Sequence, residues 1–270
     1  MSEIAPHDLS YLPPVTARIA QAAARPRLVA VATVLAVTAL GWLYLGVVHA
    51  RTADLFAALC RPSAPGSAAA FLLLLPMWSA MALAMMVPSA SATVLTYAEI
   101  ADTAARKSIQ VVSPLVLVAG YVAVWFGFAA IASGLQLALA RAGLLDADSS
   151  VGLILSAALF IMAGVYQFSS LKHACLRQCR NPFQFFFANW ATTTGGVFRL
   201  GVKQGLYCLG CCWAAMLLMF ALGTMNVMWM AVLAAAMTIE KLVATNWLTY
   251  GFGLILIAVG AILLLGVGFG

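Results

Sequence analysis

Apolar and polar positions in this chain do not interleave; they come in blocks. Long apolar runs occupy 28–48, 68–88, 114–139, 151–170, 205–223, 226–245 and 249–269, and most charged residues lie between them. Crossing the hydrocarbon core of a bilayer takes about 20 mostly apolar residues in helical form. The pattern therefore predicts an all-α, polytopic integral membrane bundle of seven transmembrane helices over 28–270. A flexible polar tail, 1–27, carries Pro6, Pro13 and Pro14. Arg25 and Arg27 before the first run, with Val48-His49-Ala50 after it, faintly resemble a secretory signal. That run exceeds the roughly 7–15 residues of a signal core, so a retained first helix is expected. The tightest joint, Gly223-Thr224-Met225-Asn226, has to be a turn, or two runs would merge into one too long for a single crossing. The aromatic stretch from Pro182 to Trp190 is too short to span and is expected at the interface.

Composition strengthens this picture. The chain is 64% hydrophobic and 8% charged, with a mean hydropathy of +1.03. Soluble domains carry about 25% charged residues, so lipid has to cover most of this surface. The net charge of +6 does not indicate nucleic acid, because the basic residues sit in the short connections. With an inside N-terminus, the inner side holds eleven basic residues: Arg18, Arg25, Arg27, Arg106, Lys107, Lys172, Arg177, Arg180, Arg199, Lys203 and Lys241. The outer side holds three, Arg51, Arg61 and Arg141. This bias sets the N-terminus in and the C-terminus out. Gly120, Gly127 and Gly134 recur every seven residues and are expected to line one packing seam, and Gly201 and Gly205 form a second small-residue face.

The chemistry sits in sulfur. Cys175 and Cys179 are four apart, while Cys208, Cys211 and Cys212 stand at i, i+3 and i+4 and share a helix face. Topology places both groups at the inner ends of their helices, in a compartment that keeps thiols reduced. Soft-metal ligation or redox chemistry is then favoured over structural disulfides, against the plainer reading of cysteine as a small buried hydrophobe. Cys60 stands alone on the outer side and carries no role. Met77, Met81 and Met85 follow one another at four-residue steps, Met86 adjoins them, and Met216 and Met219 extend the thiol face. Thiolates with thioethers make a soft donor set that favours Cu(I), although a methionine stripe is more often packing. His173 is a borderline ligand or an interfacial histidine. Glu240 is either a functional carboxylate at the membrane edge or half of a snorkelling couple with Lys241.

Two blocks carry a family resemblance. One is Ala163-Gly164-Val165-Tyr166-Gln167 through Leu171-Lys172, Cys175-Leu176-Arg177, Cys179-Arg180 and Pro182. The other is Gly205-Leu206-Tyr207-Cys208-Leu209-Gly210-Cys211-Cys212-Trp213, continuing to Gly223, Met225-Asn226, Trp229-Met230 and Glu240-Lys241. With Trp78 and the run from Met81 to Ser89, they resemble the bacterial family of predicted metal-binding integral membrane proteins, some labelled copper-chelator-like. The resemblance covers roughly 70–245 and implies a multi-pass protein of the bacterial inner (plasma) membrane. Ser169-Ser170 stand where a Thr-Pro pair is expected, which predicts a straighter end to the fourth helix.

Three functions compete. The first is Cu(I) handling by clustered thiolates at the cytoplasmic membrane face, for buffering, transfer or delivery to a cuproenzyme or metallochaperone, with zinc as the alternative ion. The second is a membrane thiol–disulfide oxidoreductase using Cys208 or Cys211. The third is a non-catalytic assembly subunit. No Walker-type loop, paired buried carboxylates or HExxH motif points to another enzyme class.

Overall fold

The computed structural model describes residues 25–59, 68–107, 111–144, 150–223 and 226–268, and these are helical with short connections and no strand. Most of the predicted tail, Cys60, and Thr224 and Met225 of the tight joint lie outside the described residues. In chain order the helices are α1 (Pro26–Leu59), α2 (Ala68–Ser89), α3 (Ser91–Arg106), α4 (Pro114–Arg141), α5 (Ser150–Tyr166), α6 (Ser170–Arg180), α7 (Pro182–Asn189), α8 (Thr194–Leu217), α9 (Met219–Leu222), α10 (Val227–Leu242) and α11 (Trp247–Gly268). Their boundaries follow capping chemistry. Ser113 and Thr193 each accept an N–H of the first turn that follows, and Pro114 stands where a missing N–H costs nothing.

Among the described residues, five helical segments are long and apolar enough to cross a membrane: Pro26–Val48, Ala68–Ser89, Pro114–Arg141, Thr194–Leu222 and Trp247–Gly266. The other two predicted crossings look different. The run 151–170 ends in a break: α5 stops at Tyr166, and α6, which begins at Ser170 and continues beyond the run to Arg180, is bent from it by 64°. Three consecutive i→i+3 bonds, from the N–H groups of Gln167, Phe168 and Ser169, close α5. Ser169 then accepts the Lys172 N–H at 3.1 Å and starts α6. The expected straight end is therefore wrong: a serine cap ends and restarts the helix without any proline. The run 226–245 yields only the 16 residues of α10, closed by extended backbone at Val243. The joint before it does turn, with Gly223 at φ +88°, a conformation glycine adopts without penalty.

Buried side chains of α2 form the middle of the molecule. Met77, Trp78, Met81, Met85 and Met86 are all fully buried. The Trp78 indole donates to Gln136 Oε1 at 2.6 Å and packs on Phe128 and Phe220, which ties α2 to α4 and α9. Helices α4 and α8 approach until their backbones touch. A Cβ at Gly201 would overlap the Leu117 carbonyl oxygen, and one at Gly120 would overlap that of Phe198. The predicted seam along α4 stops there, because Gly127 and Gly134 face nothing within 4 Å. Helix α11 packs chiefly along α5, where Gly164, Gly253 and Gly260 let the two backbones come together.

The amphipathic α3 was not anticipated by the block pattern. It lies against α7, the aromatic piece expected at the interface, with Tyr97 packed on Phe186 and Trp190. The Tyr97 hydroxyl donates to the Val112 carbonyl at 2.9 Å, and burial pushes its pKa from 10.0 up to about 12. Between those values the unfolded chain releases a proton that the folded chain keeps, so stability falls as pH rises through this window and is unaffected below it. Unfolding measured in detergent between about pH 9 and pH 12 should show this decline in the native protein and a shallower one in Tyr97→Phe. Equal slopes would remove Tyr97 as its source.

Candidate metal centre

Two helices bring the thiols together. Cys175 and Cys179, one turn apart on α6, both face α8. Cys175 lies over Gly210, where an added Cβ would stand 2.6 Å from its Sγ, and the Tyr166 hydroxyl donates to the Gly210 carbonyl beside it. Cys179 Sγ lies 3.8 Å from the Gln204 Nε2 of α8. On α8, Cys211 Sγ stands 3.2 Å from Cys212 Sγ and donates to the Cys208 carbonyl at 3.1 Å. None of the five thiols is more than 9% exposed, and all five are free.

Polar groups around the sulfurs come from four further elements. Cys208 Sγ lies 3.0 Å from the Tyr121 hydroxyl of α4 and 3.0 Å from Lys241 Nζ at the end of α10. Lys241 also donates to Ser89 Oγ at 2.7 Å. Gln204, one turn before Cys208, sends its Nε2 to Thr93 of α3 at 3.1 Å and towards Cys179 Sγ at 3.8 Å. Tyr121 and Gln204 had no place in the sequence reading, and Ser89 and Gly210 entered it only as parts of the family motifs. Gln204 alone had a signal, being four residues before Cys208 on the same face.

Of the residues singled out by sequence, Cys175, Cys179, Cys208, Cys211, Cys212, Met81, Met85, Met86, Met216 and Met219 share one buried core. Met77, Met230 and Met237 join it, the last two on α10. His173 points elsewhere: its ring packs on Tyr250 of α11, and its Nε2 is buried without a partner. Glu240 is committed to Lys172, whose Nζ lies 2.8 Å and 3.2 Å from its two oxygens while also donating to Gln167. The Glu240–Lys241 couple does not snorkel, since both side chains turn inward to separate partners and are buried.

Among the described residues, no group of three His, Cys, Asp or Glu side chains is arranged to hold a metal ion. The reason lies in the hydrogen bonds. Cys208 is engaged by Tyr121 and Lys241, and the 3.2 Å between Cys211 and Cys212 is shorter than the roughly 3.8 Å between thiolates sharing one tetrahedral ion. Loading an ion requires these sulfurs to part by about half an ångström and Cys208 to exchange a partner. A disulfide between Cys211 and Cys212 is less well served. Adjacent residues on a trans backbone have Cα atoms about 3.8 Å apart, below the range a Cys211–Cys212 bridge needs.

Residues 75–263 match a family model described as copper chaperone. The chain belongs to the PpoB2 copper chaperone family. The matched segment starts just before Trp78 and runs past Glu240 and Lys241, so it takes in every sulfur ligand candidate and leaves α1 outside. No curated protein and no solved structure matches the chain. For a copper chaperone the metal is cargo; thiols and thioethers share the buried core here, and the Glu240 carboxylate is taken by Lys172.

Proposed function

We propose that this PpoB2 copper chaperone is embedded in the bacterial inner membrane and carries Cu(I) on thiolates of Cys175, Cys179, Cys208, Cys211 and Cys212. It then hands the ion to a cuproenzyme or to a second metallochaperone. What supports this reading is the seating of α6 on α8: Cys175 lies over Gly210 and Cys179 lies 3.8 Å from the Gln204 amide, in the same buried core as Cys208, Cys211 and Cys212. Sulfurs from two separate helices at one place give an ion two independently movable halves of a site, which suits a carrier that has to let go. The fully buried thioethers of Met81, Met85, Met86, Met216 and Met219 supply weaker positions that lead away from the thiols. Five long apolar helices and the exposed leucines and isoleucines of α1, α4 and α11 support a lipid environment.

The test is elemental analysis of detergent-purified protein after exposure to Cu(I) under reducing conditions. The wild type is expected to retain copper, and Cys208→Ser with Cys211→Ser and Cys212→Ser to fall to background. The same copper content in both proteins rules the thiolate reading out.

A further inference from the structure

Lys241 is an ammonium with no carboxylate. Its side chain is 7% exposed and sits in the core at the end of α10, where an unpaired charge is costly. Among the residues whose side chains are described, the acids have other partners: Glu99 faces Arg27, Asp102 holds Arg106, and Glu240 is paired with Lys172. The contacts of Lys241 Nζ are Ser89 Oγ, which is neutral, and Cys208 Sγ at 3.0 Å. The positive end of Lys241 therefore stands directly against one of the candidate sulfur ligands.

From this we infer that Lys241 is a specificity-determining residue, whose fixed positive charge reserves the sulfur site for a singly charged soft ion. The inference rests on the thiolate reading above and deepens it. Coulomb repulsion scales with the product of the charges, so for any one set of thiolates Lys241 opposes a divalent ion twice as strongly as a monovalent one. Thiolates alone do not make that distinction, since sulfur sites also hold Zn(II) well. A lysine beside the sulfurs makes it by charge, without demanding a rigid coordination geometry. Two thiolates around Cu(I) carry one net negative charge, which the ammonium neutralises. Two thiolates around Zn(II) carry none, which leaves the ammonium unpaired inside the core.

The experiment is competition between Cu(I) and Zn(II) for the full-length protein in detergent, with affinities for each ion set by calibrated chelators. Lys241→Met removes the charge and keeps the length. Lys241→Gln removes it while keeping a donor for Ser89, so that a folding defect in the first variant does not end the test. Both are expected to lower the preference for Cu(I) over Zn(II) by about ten-fold or more, and Lys241→Arg to keep it. A wild-type ratio in a folded neutral variant overturns the inference while leaving the thiolate reading intact. Copper retained by the Cys208, Cys211 and Cys212 triple variant overturns that reading itself.

Discussion

Glu240→Leu, with Lys172 left in place, is expected to lower the unfolding free energy by about 3–5 kcal/mol, the usual penalty for stranding one member of a buried ion pair. Lys172 is 1% exposed and Glu240 is 5% exposed, with nitrogen and oxygen at 2.8 Å. Removing the carboxylate leaves an ammonium whose remaining partner is the amide of Gln167. Replacing both, as Lys172→Met with Glu240→Leu, is expected to restore most of the loss, because the desolvation penalty goes with the charges. Arg180 gives an internal control. It grips the same corner through the Glu240 carbonyl at 2.9 Å and Asn246 Oδ1 at 2.8 Å, so its contacts survive both variants. Chemical unfolding in detergent measures all three proteins. A single variant as stable as wild type would mean that the pair adds nothing. The position matters beyond stability, because Glu240 fixes the rotation of α10 that aims Lys241 at Cys208.

The second large effect concerns the place where α4 and α8 touch. Gly201→Leu introduces a side chain where the Leu117 carbonyl already stands and where Gly120 Cα is 3.0 Å from the new Cβ. Backbone cannot yield as a flexible side chain can, so the helices have to separate. A destabilisation at or above the roughly 1–3 kcal/mol typical of overpacking is expected, with poor recovery of folded protein. The damage should reach the sulfurs, because Tyr121 lies one turn beyond Leu117 and its 3.0 Å contact to Cys208 spans the same interface. Gly127→Leu is the matched control. It meets nothing within 4 Å and is expected to change stability by no more than about 0.5 kcal/mol. Equal unfolding midpoints for the two variants would remove the close-approach argument.

These two sites also mark how far the sequence could be read. Helical blocks and cysteine spacing were legible because both depend on local periodicity. The Gly201–Gly205 face was legible for the same reason, but the partner it would choose on α4 was not, and two of the three regularly spaced glycines there turned out unpartnered. Ser169 was seen as a departure from a family pattern and read as the loss of a kink. Its capping of the Lys172 N–H could not be inferred from hydropathy, and it supplies the bend by other means. Lys172 and Glu240 are 68 positions apart, and nothing local joins them. For Lys241 the sequence leaves an interfacial anchor open beside a functional role, because lysines at helix ends usually reach for water. Only the packing of α10 against α2 reveals that it turns inward instead.

The pairing of α5 with α11 has a consequence for how the protein is made. Gly164 and Gly253, which meet in that pair, are separated by 89 positions (253 − 164), and the sulfur-bearing α6 and α8 lie between them. At synthesis rates of about 5–20 residues per second, α5 waits roughly 4–18 seconds on the ribosome for its main companion to emerge. During that interval the glycine face of α5 has no helix to close on, and Gly164 stays open until the chain has been made through Gly260.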